Sequence, residues 1–177
     1  AMGGGTIASG DFSKAMGEFT TASGDFSTAM GNGTTASGEF STAMGVETIA
    51  SGALSTAMGG GTIASGDFST SVGMITTASD YASTAIGQYN LLGSTVTNNA
   101  TQFSTANTAF VIGNGASLNN RSDALTVLFD GTTNIAGSVT ATSFIGDGSQ
   151  LTNLPPNSPF SPNTTSGTGI QSPTNTA

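Results

Sequence analysis

The sequence has no cysteine, no histidine and no tryptophan, and Lys14 and Arg121 are its only basic residues. Without cysteine and histidine the usual zinc sites cannot form, and neither Ser-His-Asp nor Cys-His catalysis is possible within this chain. A net charge of −8 leaves too few cations to bind nucleic acid or an anionic membrane surface. We therefore predict a protein that is not an enzyme, with no catalytic residues, no metal, no cofactor and no nucleic-acid partner.

Charge and long apolar runs are also scarce. Charged residues make up 7% of the chain, against roughly 25% in ordinary globular proteins, whereas glycine alone accounts for 26 residues. No run approaches the roughly 18 apolar residues of a membrane-spanning helix, so we expect no membrane insertion within this segment. The chain begins inside a repeat and without an initiator methionine, which favours a segment of a longer protein.

What the sequence has instead is a period of 14 residues. The phrase Ala-Met-Gly occurs at residues 15–17, 29–31, 43–45 and 57–59, and in looser form at 71–73 and 85–87. A second phrase, Ile/Thr-Ala-Ser-Gly, occurs at 7–10, 21–24, 35–38, 49–52 and 63–66, and ends as Thr-Ala-Ser-Asp at 77–80. A repeat this regular predicts a stack in which each unit packs mainly on its neighbours.

Fourteen residues suit one coil of a β-solenoid, with two strands and two corners. We assign the glycine of each phrase to a corner, because glycine accepts positive φ without a steric clash. Alternation along the strands places Ser27 with Ala29 on one face and Thr28 with Met30 on the other, and Thr20 shares a face with Ala22. Small inward residues predict a thin interior, and about six coils spaced about 4.8 Å apart predict a rod about 30 Å long.

Two apolar rows follow from the same register. The Met row contains Met16, Met30, Met44, Met58, Val72 and Ile86, and the Phe row contains Phe12, Phe26, Phe40, Leu54 and Phe68. One interpretation is that the Met row fills the roll itself. We favour a seam between chains, because methionine adapts to irregular packing and several chains around the row would bury it. We assign the Phe row to chain–chain packing as well.

The succession Thr-Ala-Ser-Gly-Asp-Phe-Ser-Thr-Ala-Met-Gly at residues 21–31 resembles the head repeats of YadA-like trimeric autotransporter adhesins. The resemblance covers roughly residues 1–90. It implies a left-handed parallel β-roll, three chains side by side, a place on the bacterial surface, and adhesion to host or matrix ligands. This chain departs from the family in carrying Met where isoleucine or valine is more usual, and it shows no neck, coiled-coil stalk or membrane anchor.

We divide the chain into a head roll at residues 1–90, a β-rich connector at 91–154, and a linker or disordered tail at 155–177 rich in proline, serine and threonine. In the connector, the turn pairs Asn114-Gly115 and Asp130-Gly131 close predicted strands. The phrase at 145–154 resembles one found in phage tail fibres and fibre-like surface proteins. The tail lacks periodicity and bulky core residues.

Two polar rows have alternative interpretations. Asp11, Asp25, Glu39 and Asp67 share one repeat position. Such a row is either a calcium ladder or a solvated corner, and we favour the corner because no Asp-rich loop supplies further ligands. Threonines repeat at residues 6–76 facing inward with alanine, and at residues 28–70 facing outward. Threonine rows are typical of ice-binding solenoids, but also of ordinary strands.

These observations predict an all-β, homotrimeric, extracellular fibre segment on a bacterial cell surface or a virion-like particle. Its predicted function is adhesion or receptor binding through a host-surface, matrix or glycan ligand. The alternatives are the receptor-binding tail fibre of a phage or phage-like contractile injection particle, a structural filament, and an ice-binding solenoid. The sequence does not identify the ligand, because such surfaces bind through many weak contacts.

Overall fold

The computed structural model describes residues 1–92 and 99–143. The chain divides into two compact units, residues 1–138 and 139–177. Of the second unit, the described residues 139–143 lie outside any strand. The phrase at 145–154 and the predicted tail at 155–177 lie outside the described residues, and the boundaries near 90 and 154 stay predictions.

Each 14-residue repeat forms one coil with a five-residue strand and a two-residue strand, and every regular element in the described residues is a β-strand. The long strands are β2 (Lys14–Glu18), β4 (Thr28–Asn32), β6 (Thr42–Val46), β8 (Thr56–Gly60), β10 (Thr70–Met74) and β12 (Thr84–Gln88). The short strands are β1 (Ile7–Ala8), β3 (Thr21–Ala22), β5 (Thr35–Ala36), β7 (Ile49–Ala50), β9 (Ile63–Ala64) and β11 (Thr77–Ala78). Three further strands follow: β13 (Thr108–Asn114), β14 (Asp123–Leu128) and β15 (Thr133–Ile135).

The strands stack in parallel into two sheets. The short strands form a six-stranded sheet, and the long strands form most of a nine-stranded sheet that continues into β13, β14 and β15. The register advances by one repeat per strand, so that Met16 pairs with Met30 and Ala22 pairs with Ala36. The predicted parallel β-solenoid of 14-residue coils is confirmed, while the handedness of the roll stays a prediction.

The interior is built from small residues, as the alternation predicted. From Ala15 to Ser83, each coil contributes two alanines or their equivalents, one threonine and one serine, and all of them are at most 2% exposed. The inward rows are Ala15, Ala29, Ala43, Ala57, Ser71 and Ala85; Ala22, Ala36, Ala50, Ala64 and Ala78; Thr20, Thr34, Thr48, Thr62 and Thr76; and Ser27, Ser41, Ser55, Ser69 and Ser83. The two sheets therefore lie close together with no large apolar side chain between them.

Positive φ, the reason predicted for the corner glycines, holds for the glycine row of the Ala-Met-Gly phrase but is wrong for that of the Ala-Ser-Gly phrase. Gly31 has a φ of 128° but lies inside strand β4, and Gly24 lacks a left-handed φ. A Cβ atom at Gly24 would instead collide with the backbone of Gly38 in the next coil. The left-handed corner positions are occupied by residues of several types, such as Phe26 with a φ of 57° and Gly33 with a φ of 65°. Close stacking of the coils, and not the corner conformation, thus selects this glycine row.

The roll ends where the two sheets part. β13 pairs in parallel with β12, and β14 and β15 then add antiparallel strands, whereas the six-stranded sheet stops at β11. At that edge, the Asn90 side chain accepts a hydrogen bond from the Thr77 N–H (2.7 Å) and donates one to the Thr77 carbonyl oxygen (2.9 Å). A single amide side chain therefore takes the place of a seventh short strand. The Arg121 guanidinium donates to the carbonyls of Ile75 and Asn90 and holds the same end closed.

Candidate binding surfaces of the roll

The Met row lies on the outer face of the nine-stranded sheet. Its six residues pair in register from strand to strand, and alternation points them away from the alanine interior. Met16 is 43% exposed and the other five are half-buried. The interpretation in which this row fills the roll is wrong, because alanine, serine and threonine already do so.

The row is longer than the sequence period indicated. Ile112 in β13 pairs with Ile86 in β12, so the apolar row continues beyond the last 14-residue coil. Sequence reasoning missed Ile112 because it follows Ile86 by 26 residues. The matching Ile-Gly-Asn and Ile-Gly-Gln phrases at 112–114 and 86–88 were the available signal.

The face that carries the Met row is also uncharged over five successive coils. The residues of β4, β6, β8, β10 and β12 include no acidic or basic side chain. Beside the Met row runs an outward threonine row, formed by Thr28, Thr42, Thr56, Thr70 and Thr84. The Met row is apolar, the threonine row bears hydroxyl groups, and neither is charged, so this face can be desolvated without burying a charge.

The Phe row lies along one corner of the coils. Phe12 and Phe26 stack with ring centroids 5.1 Å apart, and Phe26 and Phe40 stack at 4.8 Å with nearly parallel planes. Leu54 interrupts the stack, and Phe68 continues it with an edge contact to Tyr81. The members are about half exposed, except Phe12 at 77%. The row thus forms an exposed aromatic ridge whose rings pack mainly on one another.

The acidic row next to the Phe row ties successive coils together. The Asp25 carboxylate accepts a hydrogen bond from the Asp11 N–H at 2.8 Å, and the Asp67 carboxylate accepts one from the Ala53 N–H at 2.8 Å. Neither the calcium ladder nor the merely solvated corner anticipated this role. Within residues 1–92 and 99–143, no group of three or more acidic side chains is placed to hold a metal ion.

A cavity of about 330 Å³ lies at the end of the roll, between β11 and the strands β13–β15. Asp80 and Asp123 line it, together with Asn90. Partial burial raises the pKa of the Asp123 carboxyl above its usual value, and hydrogen bonds from the Leu91 N–H and the Thr126 hydroxyl oppose that shift. No spacing in the sequence indicates this cavity, since its walls come from segments far apart along the chain.

Comparison with known families agrees with this geometry. A family model described as YadA head domain repeat (2 copies) matches residues 8–34, 22–48 and 50–74. No curated protein matches the chain. Among the described residues, none forms a helix that is long and apolar enough to cross a membrane. Residues 8–48 and 50–74 therefore match YadA head repeats, as the sequence phrases predicted.

Proposed function

We propose that this chain is a segment of a homotrimeric surface fibre that adheres to a host-surface, matrix or glycan ligand. The observation that carries the proposal is the neutral face of the nine-stranded sheet, in a roll made of YadA head repeats. The interior of each coil is already filled, so this face contributes nothing to its own chain's core. A face of this kind is expected to be covered by another copy.

Closed rotational symmetry would bury the same surface of every chain, and the number three follows from the likeness to YadA head repeats. Full burial of one exposed apolar side chain contributes about 1.5–3 kcal/mol. Because most of the Met row is already half-buried, a partner chain would add part of that gain in each coil. Of the long strands of the roll, only β2 carries charges, with Lys14 and Glu18. The interface would therefore run along β4 to β12 without an unpaired charge.

We propose the Phe row as the second contact between chains. Phe12, Phe26, Phe40 and Phe68 lie at the corner between the two sheets, where a neighbouring roll would meet them. Replacing Phe26 and Phe40 with serine is then expected to weaken the trimer without unfolding the coils, since neither ring enters the interior. A trimer of unchanged stability in both sedimentation and unfolding would contradict this part of the interface.

Ice binding is the second candidate, and the outward threonine row favours it. Thr28 to Thr84 repeat in register on a regular sheet face, as an ice-binding surface requires. The two candidates compete for one face, because a trimer seam along the Met row would cover this neighbouring threonine row. A monomer with thermal hysteresis would support ice binding, and a trimer without it would support adhesion.

The adhesion proposal is tested with beads that carry the chain, applied to cultured host cells and to immobilised matrix proteins. Met30→Asp with Met44→Asp places two charges on the proposed seam, and is expected to abolish both the trimer and the avidity that three copies provide. The matched control is Thr21→Asp with Thr35→Asp, which adds the same charges to the outer face of the six-stranded sheet in neighbouring coils. The proposal is contradicted if the methionine variant still adheres like the native chain. It is also contradicted if the native chain adheres to none of these surfaces.

A further inference from the structure

The last coil of the roll carries a residue that the earlier coils exclude. Asp80 occupies the repeat position that is glycine at residues 10, 24, 38, 52 and 66. At Gly66, for example, a Cβ atom would collide with the backbone carbonyl of residue 80 in the next coil. Within residues 1–92 and 99–143 no further coil covers Asp80, because the six-stranded sheet ends at β11. A carboxylate therefore fits in the space that the backbone of a following coil fills elsewhere.

That space is the cavity at the end of the roll. Its volume of about 330 Å³ lies at the lower end of the range for small-molecule sites. The walls are mixed, with apolar side chains on several sides of the two carboxylates. The apolar lining comes from Ala78, Ala85, Val111, Leu128 and Ile135. The cavity can thus hold a small molecule that has both an apolar part and a polar end.

The Asp80 carboxylate has one oxygen in use and one without a partner. Asp80 is 1% exposed, and its Oδ2 accepts a hydrogen bond from the Thr108 N–H at 2.8 Å. Its Oδ1 is buried and has no hydrogen-bond partner among the residues that the structure describes. Burying a carboxylate oxygen is unfavourable unless a donor or a cation satisfies it.

Neither basic side chain of the protein is placed to neutralise this oxygen. Lys14 lies in β2, at the opposite end of the nine-stranded sheet. Arg121 donates to the carbonyls of Ile75 and Asn90. The second carboxylate in the cavity, Asp123, adds further negative charge. The site therefore has an unmet requirement for a positively charged donor.

We propose that this cavity binds a small organic ammonium ion, whose N–H group donates to Asp80 Oδ1 and whose alkyl part packs on the apolar walls. A bare divalent cation fits less well, because calcium takes six to eight oxygen ligands and one oxygen of Asp80 is already engaged by an N–H group. An alkylammonium needs only a few acceptors and gains from the apolar walls. This site is separate from the Met row and does not depend on the adhesion proposal.

The probe is n-butylammonium, titrated into the full chain at low ionic strength and followed by calorimetry and amide chemical shifts. n-Butanol, which has the same alkyl part without the charge, is expected to bind at least about tenfold more weakly, since charge-assisted hydrogen bonds are the stronger kind. Asp80→Asn should weaken n-butylammonium binding by a similar factor. The control is Asp67→Asn, because Asp67 lies outside the cavity lining and its substitution should leave binding unchanged.

Asp80→Gly is a second variant that is expected to fold, because the five earlier coils have glycine at this position. A folded Asp80→Gly protein that no longer binds n-butylammonium would support the site. The proposal is overturned if n-butanol binds as well as n-butylammonium, or if Asp80→Gly and Asp80→Asn bind it like the native chain. It is also overturned if calcium alone binds and n-butylammonium does not.

Discussion

Two threonines at the same position of neighbouring coils are expected to respond in opposite ways to the same substitution. Thr62 and Thr76 both point into the interior at 0% exposure. The Thr62 hydroxyl has no hydrogen-bond partner, whereas the Thr76 hydroxyl lies 2.8 Å from the hydroxyl of Ser71. The difference arises because Ser71 stands where the preceding coil has Ala57. Valine has nearly the shape of threonine, so Thr→Val removes the hydroxyl and little else.

The magnitudes follow from the cost of unpaired buried hydroxyls. Thr62→Val replaces such a hydroxyl with a methyl group and is expected to stabilise the fold by about 1–2 kcal/mol. Thr76→Val removes one member of a pair and leaves the Ser71 hydroxyl buried alone, which should destabilise it by about 1–3 kcal/mol. For a chain of this size, each kcal/mol shifts the melting temperature by about 2–4 °C. The two variants should therefore differ by several degrees.

The assay is thermal and urea unfolding at one fixed protein concentration, since any oligomer makes stability depend on concentration. The double variant Ser71→Ala with Thr76→Val removes both hydroxyls and should recover the stability lost in Thr76→Val. The reasoning is refuted if both single variants shift stability in the same direction, or if the double variant is no more stable than Thr76→Val.

Three further predictions, involving five substitutions, test other parts of the chain. Gly38→Ala should destabilise by about 3 kcal/mol or more, because its Cβ would meet the backbone of the next coil, whereas Gly60→Ala has open space and should be neutral or slightly stabilising in the same unfolding assay. Asp25→Ala should destabilise the coil stack and Asp25→Asn should not, since an amide oxygen still accepts the N–H of the preceding coil; equal losses in urea would contradict this. Asp123→Asn should be more stable than the native chain at pH 7, because burial raises the Asp123 pKa. The folded state therefore disfavours the charged carboxylate, which the amide lacks. That advantage should shrink as the pH falls towards the ordinary carboxyl value of 3.8 and vanish below it; a pH-independent difference would contradict it.

The sequence was sufficient for the parts of the fold that depend on period and alternation. The spacing of Met30 and Met44 predicted the register of the long strands, and the alternation of Ser27 and Ala29 with Thr28 predicted the interior. Both rules act between neighbouring residues or neighbouring coils. They therefore remain valid along the whole repeat.

What the sequence did not predict depends on contacts between segments that the period does not relate. Phe26 adopts a left-handed corner although bulky residues disfavour that region, and the stack with Phe40 offsets part of the strain. In the sequence, Asp80 is a departure from glycine at one repeat position. Its role depends on the end of the coil stack, because no coil of the described residues lies above it. Ile112 extends the Met row by pairing with Ile86, although the two residues are 26 positions apart instead of 14.

We expect two further copies of the chain to cover the outer face of the nine-stranded sheet. Sedimentation equilibrium of the purified chain tests it most directly, because that measurement gives the mass in solution without assuming a shape. We expect a species of three times the chain mass of 17.3 kDa, reduced to one chain mass by Met30→Asp with Met44→Asp but not by Thr21→Asp with Thr35→Asp. A native chain that sediments at 17.3 kDa at every concentration, or a methionine variant that remains a trimer, would contradict the account.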